Sequence, residues 1–99
     1  MSATSDRLAP IHPGEVLAAD FLQPMSLTQY QVAKAIRVPL PRVNAIVRGK
    51  RGITADTALR LARFFGTTAE FWMNLQSHYD LERRRDEIGD QLDGLLPMA

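Results

Sequence analysis

The chain has 99 residues, of which 45% are hydrophobic and 23% charged, a composition typical of one globular domain with a modest core. It contains no cysteine, which excludes disulfide frameworks, cysteine zinc sites and thiol catalysis. No apolar stretch approaches the ~20 residues that cross a bilayer, and residues 1–9 lack the features of a signal peptide, so we expect a cytoplasmic protein without a membrane partner.

The net charge of +1 conceals a strong segregation of charge along the chain. Between Lys34 and Arg63 there are eight Lys and Arg residues against one acid, Asp56, whereas residues 1–33 and 64–99 are each net acidic. A basic centre between acidic ends is typical of a chain that meets phosphate with one face and another protein elsewhere. The alternative is an ordinary mixed, solvated surface.

The first helix is predicted to begin at Pro13, because proline suits the first helical position and Glu15 stands in the first turn. Leu17 and Phe21 have the spacing of one apolar helix face. Pro24 then ends the helix, because proline interrupts the hydrogen-bond ladder.

Two short helices joined by a tight turn follow. Thr28 and Gln31 form a capping box at the start of the second helix, which should stop near Ile36. The third helix should start near Leu40, with Gly49 as its left-handed stop. This arrangement is a helix-turn-helix, whose second helix enters the major groove of DNA.

Two further helices complete the prediction. Thr54 caps the fourth helix and Gly66 closes it. Thr67 opens the fifth helix through another capping box, and that helix runs to about Ile88, with Gly89 as terminator.

The predicted fold class is therefore all-α, because no segment alternates with the period of a strand. We expect a single compact five-helix domain over residues 1–99, with a core at about 10–88 and flexible tails at 1–9 and 89–99.

The outward face of the third helix carries the candidates for base contact. Asn44 can bond adenine through two hydrogen bonds, and Arg42 or Arg48 can reach guanine or a phosphate. Pro41 and Ala45 offer apolar surface to a thymine methyl group, and Leu40 lies at the edge of this face. The alternative is a generic solvated helix face.

Contacts with the DNA backbone are predicted at both ends of the motif. Thr28 and Gln29 begin the second helix, where free backbone amides bind a phosphate. Lys50 and Arg51 follow the third helix and should lie over the backbone. For Gln29, the alternative is simply the ability of glutamine to sit at a helix start.

A protein interface is predicted on the apolar residues outside the motif. Phe64 turns towards solvent or a partner if its neighbour Phe65 is buried, the alternative being partial burial under the fifth helix. The dimer surface is assigned to Trp72, Leu75 and Tyr79 on the fifth helix, with the first helix as the other candidate. An aromatic residue at a helix start can equally pack in the core.

Catalysis and metal binding are not expected. The sequence has no Ser/His/Asp arrangement, glycine-rich phosphate loop or paired-carboxylate motif, so we predict no enzyme activity and no cofactor. His12 lacks a nearby second ligand, and we expect its imidazole to cover a helix end rather than to hold a metal.

Taken together, these blocks of sequence resemble a known family. The segment from Leu27 to Arg51 resembles the Xre/Cro-type helix-turn-helix domains. Three blocks are more specific, and they resemble the HigA (VapI-like) antitoxins: residues 11–17 (IHPGEVL), 48–63 (RGKRGITADTALRLAR) and 70–76 (EFWMNLQ). The resemblance, which covers about residues 10–82, implies a lambda-repressor-like domain in a homodimeric antitoxin of a type II toxin-antitoxin module.

Such a protein would repress its own operon at an inverted-repeat operator and would neutralise a HigB-type, RelE-like mRNA-cleaving toxin. The alternative is a stand-alone Xre-type transcriptional regulator without a toxin. Two positions depart from the family pattern. Arg37 stands at the turn position usually held by glycine, where a left-handed conformation costs roughly 1 kcal/mol, and Pro39 replaces the usual Ser or Thr cap.

Overall fold

The structure, a computed structural model, describes residues 9–98, and within them it contains five helices and no strand. The first helix, α1 (Pro13–Val16), continues directly into a π-helical segment (Leu17–Leu22), which the sequence pattern did not predict. The other four helices are α2 (Gln29–Ile36), α3 (Leu40–Val47), α4 (Ala55–Phe65) and α5 (Ala69–Asp93).

The helix-turn-helix is confirmed in position and in its local chemistry. Both halves of the capping box form, because Thr28 Oγ1 accepts from the Gln31 amide at 3.0 Å and Gln31 Oε1 accepts from the Thr28 amide at 2.8 Å. Arg37, at the turn, has a left-handed backbone with φ 61° and ψ 48°. Gly49, at φ 74°, supplies the left-handed stop after α3.

The cap of α5 lies one residue later than predicted. Thr68 is the N-cap, and its hydroxyl accepts from the Phe71 amide at 3.0 Å. The Thr67 hydroxyl instead accepts from Trp72 Nε1 at 2.8 Å, so it satisfies the indole N–H and is unavailable as a cap. The prediction for Thr54 is confirmed, and Gly66 closes α4 with φ 76°.

The predicted end of α5 near Ile88 is wrong. The helix bends at Ile88, with φ −121° and ψ 15°, but it continues to Asp93. Gly89 has no left-handed conformation, so it does not terminate the helix. Residues 89–93 of the expected flexible tail are therefore helical. In the described part of that tail, only residues 94–98 are non-helical, and they are exposed. The tail at 1–9 lies outside the described residues except for Ala9.

The core surrounds Trp72, whose side chain is 0% exposed. The rings of Phe21 and Phe71 lie with their centroids 5.0 Å from the Trp72 ring, and Phe65 lies at 6.3 Å. The assignment of Trp72 to a dimer surface is therefore wrong, because helical spacing does not reveal which side of α5 faces the other helices. The buried hydrophobic residues are Leu17, Leu22, Val32, Ala33, Ile36, Val38, Val43, Ile46, Ile53, Ala58, Leu61, Ala62 and Trp72.

Close packing of α1 against α3 fixes the back of the helix-turn-helix. Gly14 lies so near α3 that a Cβ placed on it would stand 1.8 Å from the Ile46 carbonyl oxygen. On the other side, Gln76 of α5 holds the loop after α3, since its Oε1 accepts from the Ile53 amide at 2.7 Å. Both contacts locate α3 relative to the rest of the domain.

Among the described residues, no helix has the length and apolar character that crossing a membrane requires.

Candidate nucleic-acid interface

The outer surface of α3 presents most of the residues predicted to contact bases. Val43 and Ile46 are buried beneath it, which turns the opposite face of the helix outwards. Pro41 and Arg48 are exposed and Asn44 is half-buried. Of the remaining candidates, Leu40 is exposed and Ala45 half-buried.

A hydrogen bond joins two of these candidates across the motif. Asn44 Nδ2 donates to Gln29 Oε1 at 3.1 Å, which ties the middle of α3 to the first residue of α2. Because the oxygen of the Gln29 amide is engaged, its Nε2 group is the part left to donate. The second Nδ2 proton and the Oδ1 atom of Asn44 remain as the donor and acceptor pair that adenine requires.

Arg42 is directed away from the open face of α3. Its Nη1 donates to Asp56 Oδ2 at 3.4 Å, and its side chain is 27% exposed. Its Nε is buried and finds no acceptor among the described residues. The structure therefore places Arg42 against α4 rather than beside Asn44 and Arg48, because the single acid of the basic segment attracts it.

Asp56 and Arg60 are polar residues of this region that the sequence interpretation missed. Asp56 Oδ2 also accepts from Arg60 Nε at 3.0 Å, and Arg60 Nη1 donates to the Ile36 carbonyl at 2.8 Å. A weaker contact of 3.5 Å reaches the Arg37 carbonyl. The signal available in the sequence was a lone acid four residues before an arginine, which is the spacing of a helical ion pair.

The loop after α3 carries two exposed cations, Lys50 and Arg51, and His12 supports it from below. As expected, the imidazole caps α1, since His12 Nδ1 accepts from the Gly14 amide at 2.9 Å. The same ring borders the loop, since a Cβ placed on Gly49 would lie 3.8 Å from His12 Cγ. Burial lowers the pKa of His12 below its ordinary value of 6.5, against the opposing effect of Glu15.

The residues assigned to a protein interface divide into three groups. Trp72 is inside the core, as described above. Leu75 and Tyr79 are half-buried, and the Tyr79 ring packs edge-on against His12 at 4.8 Å between centroids. Phe64 is 41% exposed and lines an open groove between α2 and α4. Within the described residues, no cluster of three or more His, Asp or Glu side chains could hold a metal ion.

Comparison with known proteins decides the family. The helix-turn-helix family matches residues 19–72. Virulence-associated protein I of Dichelobacter nodosus is 51% identical over 98% of this chain and 89% of its own length. Antitoxin HigA-1 of Vibrio cholerae is 34% identical over 90% of this chain and 84% of its own length.

A solved structure agrees with these relatives. The Pseudomonas aeruginosa antitoxin HigA, determined with the higBA promoter, superposes with a TM-score of 0.87. It is 46% identical, and the match covers 91% of this chain and 99% of that one. The chain belongs to the HigA family of helix-turn-helix proteins.

In this HigA-family chain, the structure shows how the turn accommodates a residue other than glycine. Arg37 adopts the left-handed conformation without being glycine. Pro39 occupies the N-cap of α3 and offers no side-chain hydrogen bond, while the Arg42 amide is satisfied by the Pro39 carbonyl at 3.0 Å.

Proposed function

We propose that this protein is a homodimeric antitoxin that represses its own operon by sequence-specific DNA binding and also neutralises a HigB-type toxin. The observation that carries the DNA-binding half is Asn44 on the recognition helix α3, hydrogen-bonded to Gln29 at the start of α2, with exposed cations beyond the end of α3. The similarity to a HigA determined with its promoter supports the same function.

Base reading is assigned to the open face of α3. Asn44 contacts adenine through two hydrogen bonds, and Arg48 reaches guanine or a neighbouring phosphate. Leu40, Pro41 and Ala45 supply the apolar surface that accepts a thymine methyl group.

Contacts with the phosphate backbone of the DNA are assigned the role of positioning the protein. Thr28 and Gln29 lie at the start of α2, where the helix dipole attracts a phosphate. Lys50 and Arg51 neutralise phosphates beyond the end of α3. These contacts fix the register of the protein without reading sequence.

Dimerisation is assigned to the C-terminal (distal) half of α5. Leu81 and Ile88 are seven residues apart, which places them on one side of α5 up to its bend, and Leu92 follows four residues beyond the bend. Leu81 is 51% exposed and Leu92 42%, although both are large and apolar. Two copies that cover this stripe would present two recognition helices to half-sites about one helical turn apart, so the operator is expected to be an inverted repeat.

Toxin binding is assigned to the groove between α2 and α4. The groove has a volume of about 570 Å³, and its apolar wall contains Leu59, which is 62% exposed, and Phe64. It is built from α2 and α4, whereas the base-reading face belongs to α3. One chain can therefore offer separate surfaces to DNA and to protein.

The DNA-binding assignment is tested by fluorescence anisotropy on the DNA immediately upstream of the gene, with a scrambled duplex of equal length. Asn44→Ala and Arg48→Ala should each weaken operator binding by about 5- to 150-fold, because a good base contact is worth ~1–3 kcal/mol. Arg84→Ala is the matched control, since it removes an exposed cation of α5. Equal affinity of the wild-type protein for both duplexes would contradict the assignment.

The antitoxin assignment is tested by co-purification with the product of the neighbouring reading frame. Asn44→Ala should retain that partner, whereas Phe64→Glu should lose it and still bind the operator. If no neighbouring frame encodes a small basic protein, the stand-alone Xre-type regulator becomes the better interpretation. Loss of both DNA and toxin by one folded variant would contradict separate surfaces.

A further inference from the structure

We infer that Arg42, Asp56 and Arg60 form an ion-pair bridge that positions the recognition helix and thereby sets operator discrimination. Asp56 is the centre of this bridge, since one of its oxygens accepts from Arg42 Nη1 at 3.4 Å and from Arg60 Nε at 3.0 Å. The inference deepens the proposed function and rests on it.

The bridge joins three helices at the turn of the motif. Arg42 belongs to α3, Asp56 and Arg60 to α4, and the Ile36 carbonyl that accepts from Arg60 at 2.8 Å is the last residue of α2. Both helices of the helix-turn-helix are therefore tied to the same turn of α4. A shift of α3 relative to α2 would break one of these contacts.

The bridge lies beside the strained residue of the turn. Arg37 is a non-glycine residue in a left-handed conformation, which L-residues adopt unfavourably. Such a conformation persists only where its surroundings hold it. Arg60 supplies that support, because its guanidinium lies on the last carbonyls of α2, the end of a helix where negative charge accumulates.

The bridge gives Arg42 a role different from the guanine or phosphate contact that the sequence predicted. A guanidinium that donates to Asp56 and buries its Nε is oriented towards α4, so its charge is compensated before DNA arrives. Arg42 is therefore a positioning residue, in contrast to the exposed Arg48 and Lys50, which keep their charges towards solvent.

The first experiment measures the ratio of operator affinity to scrambled-DNA affinity in the full-length protein. Asp56→Ala and Arg60→Met should each lower this ratio about tenfold, with no loss of affinity for scrambled DNA. Circular dichroism at the assay temperature establishes that each variant is folded. A folded variant that keeps the wild-type ratio would overturn the inference.

The second experiment is a rescue that a merely stabilising role would not produce. Arg37→Gly removes the need to support a strained residue, so adding it to Asp56→Ala or Arg60→Met should restore the ratio to within about threefold of the wild type. Arg37→Gly alone should leave the ratio unchanged. If glycine at position 37 rescues neither variant, the bridge does not act through the turn.

The third experiment separates positioning from phosphate contact by means of salt. The double variant Arg42→Gln with Asp56→Asn keeps the net charge of the wild type, and its slope of log affinity against log salt should be unchanged. Lys50→Gln, the comparison variant, should make this negative slope shallower by about 0.9 per protomer. An equal drop for the double variant would show that Arg42 contacts phosphate. A wild-type protein that does not discriminate between the duplexes overturns the proposed function and this inference together.

Discussion

His12 connects the start of the domain to the DNA-contacting loop through a neutral imidazole. Its ring accepts from the Gly14 amide, packs on Tyr79 and borders the loop at Gly49. Besides Glu15 on its own helix, it faces the carboxylate of Asp80 and the guanidinium of Arg83 on α5. Burial is the largest of these effects and lowers the pKa, so the folded protein favours the uncharged ring.

Stability should consequently fall as the pH drops below about 6.5, the ordinary pKa of histidine, because the unfolded chain then binds the proton more readily than the folded protein. Above that pH the contribution is fully present. Denaturant unfolding between pH 5.5 and 7.5 measures it. His12→Asn, which can still cap the helix, should flatten the dependence, whereas His78→Asn, at an exposed site, should not. An unchanged slope in His12→Asn would refute this explanation.

At the residue scale, the sequence predicted those features that depend only on residues nearby in the chain. The capping box of Thr28 and the left-handed Gly49 follow from contacts within four residues, and the structure confirms both. For Arg37 the sequence left open an altered turn or a strained left-handed residue, and the structure has the left-handed residue. The orientation of Arg42 could not be predicted, because it depends on Asp56, fourteen residues away and on another helix.

At the scale of elements, the contact between α1 and α3 is the most sensitive to side-chain size. Gly14→Ala would place a methyl group against the Ile46 carbonyl, and neither backbone can move without disturbing its helix. We expect the free energy of unfolding to fall by about 2–3 kcal/mol, the cost of overpacking a tight contact. Chemical denaturation measures this change.

Gly89→Ala is the matched control for that substitution. No atom lies within 4 Å of a Cβ at this position, and Gly89 lies inside α5. Alanine should therefore raise the free energy of unfolding by up to about 1 kcal/mol, through its higher helix propensity. Equal losses in both variants would show that close packing at Gly14 is not the cause.

The boundaries of elements were predicted less well than their existence. Thr67 and Thr68 are both plausible caps, and the choice depends on the indole of Trp72, which takes the Thr67 hydroxyl. Gly89 resembles a terminator in sequence, yet α5 bends at Ile88 and continues. The π-helical segment (Leu17–Leu22) escaped prediction because the apolar spacing was interpreted with the α-helical period alone.

At the scale of the whole molecule, the distal half of α5 should decide the oligomeric state. Leu81→Glu with Leu92→Glu places charge on the apolar stripe, so the dimer should dissociate at micromolar concentration and operator binding should weaken more than tenfold. Sedimentation velocity measures the first effect. Gln91→Glu, which adds one negative charge at an exposed site next to Leu92, should remain dimeric. A dimeric double variant would favour the first helix as the interface.

The dimer surface could not be identified from the sequence. The choice of α5 depended on an apolar stripe, but the helix has two. The stripe near its start includes the buried Trp72, whereas the one near its end includes the exposed Leu81 and Leu92. Only packing against Phe21 and Phe65 distinguishes them, and that is a tertiary contact.

The segregation of charge along the chain also governs how the molecule approaches its target. The cations between Lys34 and Arg63 and the acids of residues 80–93 give the domain an electric dipole moment. In the field of a polyanion this moment produces a torque that turns the recognition helix inwards and the distal part of α5 outwards before contact. Encounters are thus oriented during diffusion, and the rate of association, rather than the lifetime of the complex alone, falls as ions screen that field.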